Sequence, residues 1–236
     1  AMLGGIVVGA MCGAVNGFCI TQLKLPPFIA TLGMMLIARG LALQVTGARA
    51  ISGLGESFGE LGNGVLWRIE RDTGGTFPEV VFPGIPYPVV LMVVIAVAVS
   101  IMLSRTTFGR HIYAVGSNAE AARLSGVKVG RVTLLVYTLS GALSGLTGCV
   151  LMSRLVTAQP NEGVMYELDA IASAVIGGAS LIGGIGTISG TVIGSFVIGI
   201  LRNGLNMNGV SSFIQQIIIG LVILLTVWID QKRNRA

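Results

Sequence analysis

The sequence predicts an all-α integral membrane protein, a polytopic helical bundle with about seven spans. Three observations predict it. Of 236 residues, 53% are hydrophobic and 11% charged, against roughly 25% charged in an average soluble domain, and the mean hydropathy is +0.86. Apolar stretches recur along the chain, several approaching the length of about 20 residues that crosses a bilayer. Glycine, at 35 residues, is roughly twice its usual share of about 7%, an excess that close helix packing in lipid uses. This composition excludes an ordinary water-soluble domain. It also excludes disorder, because a chain so apolar and so poor in charge is not held open by self-repulsion.

The stretches follow in order. The first, 3–20, carries Gly5, Gly9, Gly13 and Gly17; four-residue spacing puts them on one helix face, where missing side chains let another backbone approach, so this helix is expected in the interior. The second, 28–45, is opened by Pro26-Pro27 after Lys24, where absent backbone donors do no harm, and the prolines read as helix punctuation. A loop, 46–87, follows, long for a mere connector, with Phe58 and Trp67 as anchors for a short interfacial helix. The third stretch is 89–103, the fourth 132–151, and the polar segment 104–131 lies between them. The fifth and sixth, 171–182 and 187–201, are separated only by Gly183, Gly184, Ile185 and Gly186, which predicts a tight helical hairpin turned by its glycines. The sixth shows Gly186, Gly190 and Gly194 at helical spacing, so it too is expected inside, and the seventh is 213–229. Asn16-Gly17 and Asn203-Gly204 end the two glycine runs alike, which leaves a distant internal duplication open.

Orientation follows from the basic residues of the loops, since short cytoplasmic loops carry the excess. Lys24, Arg105, Arg110, Arg123, Lys128, Arg131, Lys232, Arg233 and Arg235 fall on one side, nine in all, against five on the other: Arg49, Arg68, Arg71, Arg154 and Arg202. The loop 46–87 also carries Glu56, Glu60, Glu70, Asp72 and Glu79. It is placed outside the cell, with 104–131 and the C-terminus in the cytoplasm. Seven spans then put Ala1 outside, opening within an apolar run without the basic region of a signal peptide, and further spans are expected upstream; a seven-span protein with an outer N-terminus is the alternative. The basic clusters lack the aromatic interleaving of a nucleic-acid groove, so membrane lipid and no nucleic acid is the expected environment. Cys12, Cys19 and Cys149 have no CxxC spacing and suit neither a disulfide framework nor a zinc site.

The segment 104–131 is polar and structured. Gly116, Ser117 and Asn118 supply turn and N-cap chemistry; Glu120, Ala121, Ala122, Arg123 and Leu124 are a short run of helix formers before Gly126 stops it. Such a helix is a handle for another protein, or else the segment is a solvated connector. "EAARLSG", residues 120–126, resembles the Glu-Ala-Ala-x3-Gly element of ATP-binding-cassette importer permeases, whose short helix docks in a cleft of the ATPase; the Ile-x-Leu-Pro that follows it in many such permeases is absent. Together with "GRHIYAVGSNAEAARLSGV", "LPPFIATLGMMLIARG", "AQPNEGVMYELDAIASAVIGGASLIGGIGTISGT" and "LRNGLNMNGVSSF", it resembles the ribose-type monosaccharide permease family over nearly the whole chain. Members of that family are longer at the N-terminus and carry a Gly-Ile-Asp-Leu-Ser element that has no counterpart here.

The resemblance implies a type II importer permease in the bacterial cytoplasmic membrane. It implies as partners cytoplasmic ATPase subunits, a second permease copy as homodimer or paralogue, and an extracytoplasmic sugar-binding protein. Transport would proceed by alternating access, driven from the loop bearing Gly116, Ser117, Asn118, Glu120, Ala121, Ala122, Arg123 and Gly126. The chain itself has no G-x4-G-K-[ST], and "IGGASLIGGIGT" lacks the lysine that would hold phosphates. No catalytic residue, metal set or cofactor is therefore assigned, and Glu120 and Arg123 are candidates for state-dependent ion pairs.

A charge at the bilayer centre costs about 2.5 to 3.5 kcal/mol, so each polar group in a span needs a reason. Arg39, within the second span, either snorkels to the outer interface or faces the cavity. Asp169 with Glu167, at the outer end of the fifth, either caps or pairs with an arginine or meets substrate. Asn16, Asn203, Asn206, Gln215 and Gln216, with Arg202, are further donors and acceptors for a sugar route or simple loop caps. Two other function classes match parts of the pattern. An intramembrane hydrolase using Ser144 in "SGALSG" needs a base beside the serine, and the only histidine, His111, sits in the loop 104–131. A secondary transporter or channel for a small polar solute fits broken helices and glycine runs as well, and differs in its energy source.

Overall fold

A computed structural model describes residues 2–71 and 79–233; Ala1, Asp72 and Arg235, used above in the sequence reading, lie outside them. The described residues form ten helices and six short strands, and cluster into two compact units, 1–95 with 130–162, and 96–129 with 163–236. Five helices are long and apolar enough to cross a membrane: α1 (Met2–Thr21), α2 (Pro27–Thr46), α4 (Tyr87–Arg105), α7 (Val129–Leu155) and α9 (Ile188–Met207). The others are α3 (Glu56–Asn63), α5 (Thr107–Ser117), α6 (Ala119–Leu124), α8 (Tyr166–Ile176) and α10 (Ser212–Arg233), the last apolar over Ser212–Trp228. The strands, β1 (Ile51–Ser52), β2 (Val65–Leu66), β3 (Ile69–Arg71), β4 (Glu79–Phe82), β5 (Ile85–Pro86) and β6 (Thr157–Ala158), pair antiparallel as β1 with β6, β2 with β5 and β3 with β4.

The first unit is organised by a seam between α1 and α7. A Cβ placed on Gly5 would strike Cys149 Sγ, on Gly9 the carbonyl of Gly141, on Gly13 the carbonyl of Tyr137, and on Gly17 the Cα of Leu134. Every fourth residue of α1 descends as its partner on α7 ascends, so the helices run antiparallel at a separation that only glycine permits. Gly141 and Gly145 of α7 reciprocate against the carbonyls of Gly9 and Gly5. Without side chains between them, the backbones gain dispersion contacts along the whole seam, which is what joins helices where lipid removes the hydrophobic driving force. The expected interior position is met on this face alone: Leu3, Val7, Val8, Met11, Val15 and Phe18 remain exposed. Gly145 is thus a packing residue, and the Ser144 hydroxyl donates to the Ser140 carbonyl at 2.9 Å.

At one end of that seam the loop 46–87 folds onto α7. Ser153 is fully buried; its hydroxyl donates to the Phe58 carbonyl and accepts from the Gly62 amide at 2.7 Å. Asn63 Nδ2 adds bonds of 3.1 and 3.2 Å to the carbonyls of Ser153 and Arg154. The expected short helix is α3, held by Ser153 rather than by Trp67, whose side chain stays exposed.

The second unit differs most from the expectation for its stretch 171–182. Helix α8 stops at Ile176, and 177–187 is not helical. Gly178, Gly183 and Gly184 have φ of +88°, +103° and +76°, values that glycine adopts freely and other residues do not. The Ala179 amide bonds the Ala174 carbonyl at 2.9 Å, and the Ser180 amide the Ile185 carbonyl at 3.0 Å. The hairpin between fifth and sixth stretches therefore exists, but its turn is the whole of 177–187, not 183–186, and Gly186 precedes α9. At eleven residues, α8 is about 16 Å long, half of the hydrocarbon thickness. It packs antiparallel on α9 through a second glycine seam, in which Gly190 meets the Gly177 carbonyl and Gly194 the Ser173 carbonyl. The two Asn-Gly pairs end in unlike places: Gly17 lies against Leu134, whereas a Cβ on Gly204 would find nothing within 4 Å.

Candidate functional site

Two places in the second unit gather polar side chains. The first grows from the end of α4. The Thr106 hydroxyl caps α5 by accepting from the Gly109 amide at 3.1 Å, and Gly109 fits against the Leu103 carbonyl where no Cβ has room. Helix α5 itself is missing from the sequence reading, although Phe108, Ile112 and Val115 fall at i, i+4 and i+7. Gly116 and Ser117 complete its last turn rather than forming the expected turn. Asn118 alone makes the corner: its amide bonds the Ala114 carbonyl at 3.0 Å to end α5, and its Oδ1 accepts from the Ala121 amide at 2.9 Å to begin α6.

On α6, Arg123 Nη2 sits 2.6 Å from Glu120 Oε1, and Nε donates to Oε2 at 3.2 Å. The pair is open to water, with side chains 67% and 66% exposed. Hydrogen bonding from Arg123, then its charge, holds the Glu120 carboxyl below its ordinary pKa, and the Arg123 guanidinium is raised in turn by Glu120. Glu120 stands in the first turn and Arg123 in the last, as the helix dipole favours. Ala122 is buried beneath the helix while Leu124 is 78% exposed. The Gly126 amide bonds the Arg123 carbonyl and the Val127 amide the Ala122 carbonyl, both at 3.0 Å; Gly126 has φ +86° with no atom near its missing Cβ, so conformation and not packing selects glycine there. This is a capped helix of six residues that presents a bidentate ion pair and an apolar side chain outward.

The same element is fastened to the turn 177–187. Tyr113 Oη donates to the Gly186 carbonyl at 2.7 Å. A Cβ on Gly116 would lie 2.7 Å from the Gly184 amide nitrogen, one on Gly183 2.5 Å from the Gly116 carbonyl oxygen, and one on Gly184 2.9 Å from Ser117 Cα.

The second place is a cavity of about 240 Å³ between the first turn of α8, the last turns of α9 and the start of α10. Arg202 Nη2 spans Asp169 Oδ1 and Oδ2 at 2.8 and 2.7 Å, and Ser212, Gln215 and Gln216 complete its polar side against Leu168, Ile219 and Ile223. Gln215 Nε2 donates to the Val210 carbonyl at 2.8 Å. Of the substrate-path candidates, the structure thus brings Asp169, Gln215 and Gln216 together, with Arg202 as the partner of Asp169. Asn203 and Asn206 point elsewhere from α9 and are exposed; Asn16 on α1 and Arg39 on α2 belong to the first unit, each half-buried. Ser212 was not anticipated, having no signal beyond its place at a helix start.

Among the described residues, five helices long and apolar enough to cross a membrane mark a multi-pass membrane protein. The family described as branched-chain amino acid transport system / permease component matches residues 1–227, and the chain belongs to it. Among curated proteins it is 47% identical to the ribose import permease protein RbsC of Bacillus subtilis (strain 168) over 219 residues, 93% of this chain and 64% of that protein. It is 42% identical to RbsC of Escherichia coli (strain K12), over 99% of this chain and 69% of that protein. It is 34% identical to the xylose transport system permease protein XylH of E. coli (strain K12), over 98% and 70%. The chain spans about two thirds of the length of these relatives. No solved structure gives a significant match.

Proposed function

We propose that the chain is the permease part of an ATP-binding-cassette importer that carries a monosaccharide, ribose or a related simple sugar, across the bacterial cytoplasmic membrane. A separate ATPase supplies the energy, a second permease copy completes the pathway, and an extracytoplasmic binding protein delivers the sugar. The observation that carries this reading is α6: a capped helix with Glu120 and Arg123 paired to each other and exposed, in a chain whose curated relatives are ribose and xylose permeases. Residues 104–131 and the C-terminus face the cytoplasm, and 46–87 faces outward. The cavity around Asp169, Arg202, Gln215 and Gln216 then belongs to the outward side of the route, where hydroxyl-rich cargo finds both donors and acceptors.

The test is reconstitution of the full-length permease with its ATPase and binding protein in liposomes. Uptake of labelled ribose or xylose that requires ATP and the ATPase is expected, and Glu120→Arg, which sets two like charges side by side on α6, is expected to reduce uptake with normal membrane insertion. Uptake driven instead by a proton or sodium gradient, with no ATPase bound, would establish the secondary transporter that the interrupted helix at Gly177 also suits.

A further inference from the structure

The docking element is held to the turn 177–187 by contacts that no local requirement of α5 explains. Gly116 is the penultimate residue of α5, in ordinary helical conformation, where alanine would be the better helix former. Its value lies in the approach of Gly183 and Gly184, each of which is glycine for two reasons: positive φ and lack of room. Tyr113 spends its hydroxyl on the Gly186 carbonyl, a group of the same turn. From that turn the chain leads directly into α9, and the seam Gly177–Gly190, Ser173–Gly194 binds α8 to α9 with no side chain between to yield. At the far end of that pair stands the Asp169–Arg202 bridge with its cavity, fourteen residues or about 21 Å along α9 from its start.

We infer that the turn 183–186 is the receiver through which motion of the docking element reaches the substrate cavity: α5, α6, the turn and the α8–α9 pair shift as one body, with Tyr113 and Gly116 as positioning residues. This rests on the importer reading above. Packed interfaces of this kind do not deform smoothly, so a displacement applied at α6 appears at Asp169–Arg202 rather than dissipating between them. Gly116, expected from the sequence in the ATPase-coupling loop, packs against Gly184 instead, so in this scheme Tyr113 and Gly116 touch neither the ATPase nor the cargo and act by keeping two contacts closed.

The experiment uses the full-length permease assembled with its ATPase in liposomes and reads three quantities: ATPase co-purification, ATP hydrolysis rate and sugar transported per ATP hydrolysed. Gly116→Ala strengthens α5 but forces α5 and the turn apart; Tyr113→Phe removes one donor and nothing else. Each is expected to lower transport per ATP by about fivefold, the loss of one net hydrogen bond or its equivalent in contact, with co-purification and hydrolysis unchanged. Gly199→Ala, at a position where a Cβ meets nothing, is the control and keeps the wild-type ratio. A wild-type ratio in both Tyr113→Phe and Gly116→Ala overturns the inference, as does an equal fall in all three quantities, which would mean a purely structural role. Failure of the wild-type chain to bind an ATPase at all overturns the importer reading, and this inference with it.

Discussion

At the scale of single residues, the proposed function rests on a few backbone positions and one ion pair more than on reactive side chains. Gly126 has empty space around it and a φ that an L side chain resists, so its substitution costs conformational strain of about 1–2 kcal/mol and no clash. Gly126→Asn, which tolerates that region, is expected to retain more ATPase binding than Gly126→Val, measured by co-purification. Glu120 sets a pH dependence with a definite sign. Its carboxyl is held below the ordinary value by Arg123, so the pairing contributes fully above the unfolded pKa and is lost as pH falls through the lower, folded one. If the ATPase docks on α6 as proposed, complex formation should therefore be level near neutrality and decline only at pH below the ordinary glutamate range, and Glu120→Gln should abolish that decline in a pH titration of complex formation. Asp169 is a different case. Asp169→Asn leaves the half-buried Arg202 without its counter-charge, and a loss of about 1–2 kcal/mol is expected, allowing for water at the 42% exposed arginine; thermal unfolding in detergent reads it, and Asp169→Arg with Arg202→Asp should recover part.

At the scale of elements, two glycine seams bring helix backbones into direct contact. The α1 half was legible, because Gly5, Gly9, Gly13 and Gly17 are evenly spaced along a hydrophobic stretch. Its partner was less so: Gly141 and Gly145 have the same spacing, but neighbouring serines invite a chemical reading, and only the carbonyl contacts of Gly9 and Gly5 decide it. Gly141→Leu should separate α1 from α7 at a cost of about 1–3 kcal/mol, visible as a lower unfolding temperature, whereas Gly148→Leu, with open space around it, should not. Helix α8 shows where periodicity runs out. Residues 171–182 are apolar enough to pass for a span, yet Gly177-Gly178 lets the helix end at its middle, and hydropathy does not distinguish a helix from an apolar turn that satisfies its own amides. Helix α5 was hidden for the opposite reason: its apolar residues are few and its length is only three turns.

Across the whole molecule, membrane character was written in composition and was the most legible property, as were the two helices α2 and α4, which are long, apolar and bury no residue. The polar route was the least legible. Asn16, Arg39, Asn203 and Asn206 are polar residues in apolar helices just as Asp169, Gln215 and Gln216 are, and nothing in the linear order tells which of them converge on one cavity. That depends on the angle at which α8, α9 and α10 meet, which glycine seams and the Asp169–Arg202 bridge set. The prediction proper to this scale is energetic: uptake by the assembled importer stops when ATP or the ATPase is withheld and is indifferent to collapse of the proton gradient, as a flux assay with an ionophore would record.

The doubled glycine at 183 and 184 has a genetic corollary. Every missense change that one nucleotide can make in a glycine codon installs a Cβ, and neither site has both the conformational latitude and the space to accept one. In a random-mutagenesis selection for growth on the transported sugar, survivors should leave a two-codon silence there, flanked by freely varying codons 181 and 182, whose leucine and isoleucine stand open to their surroundings.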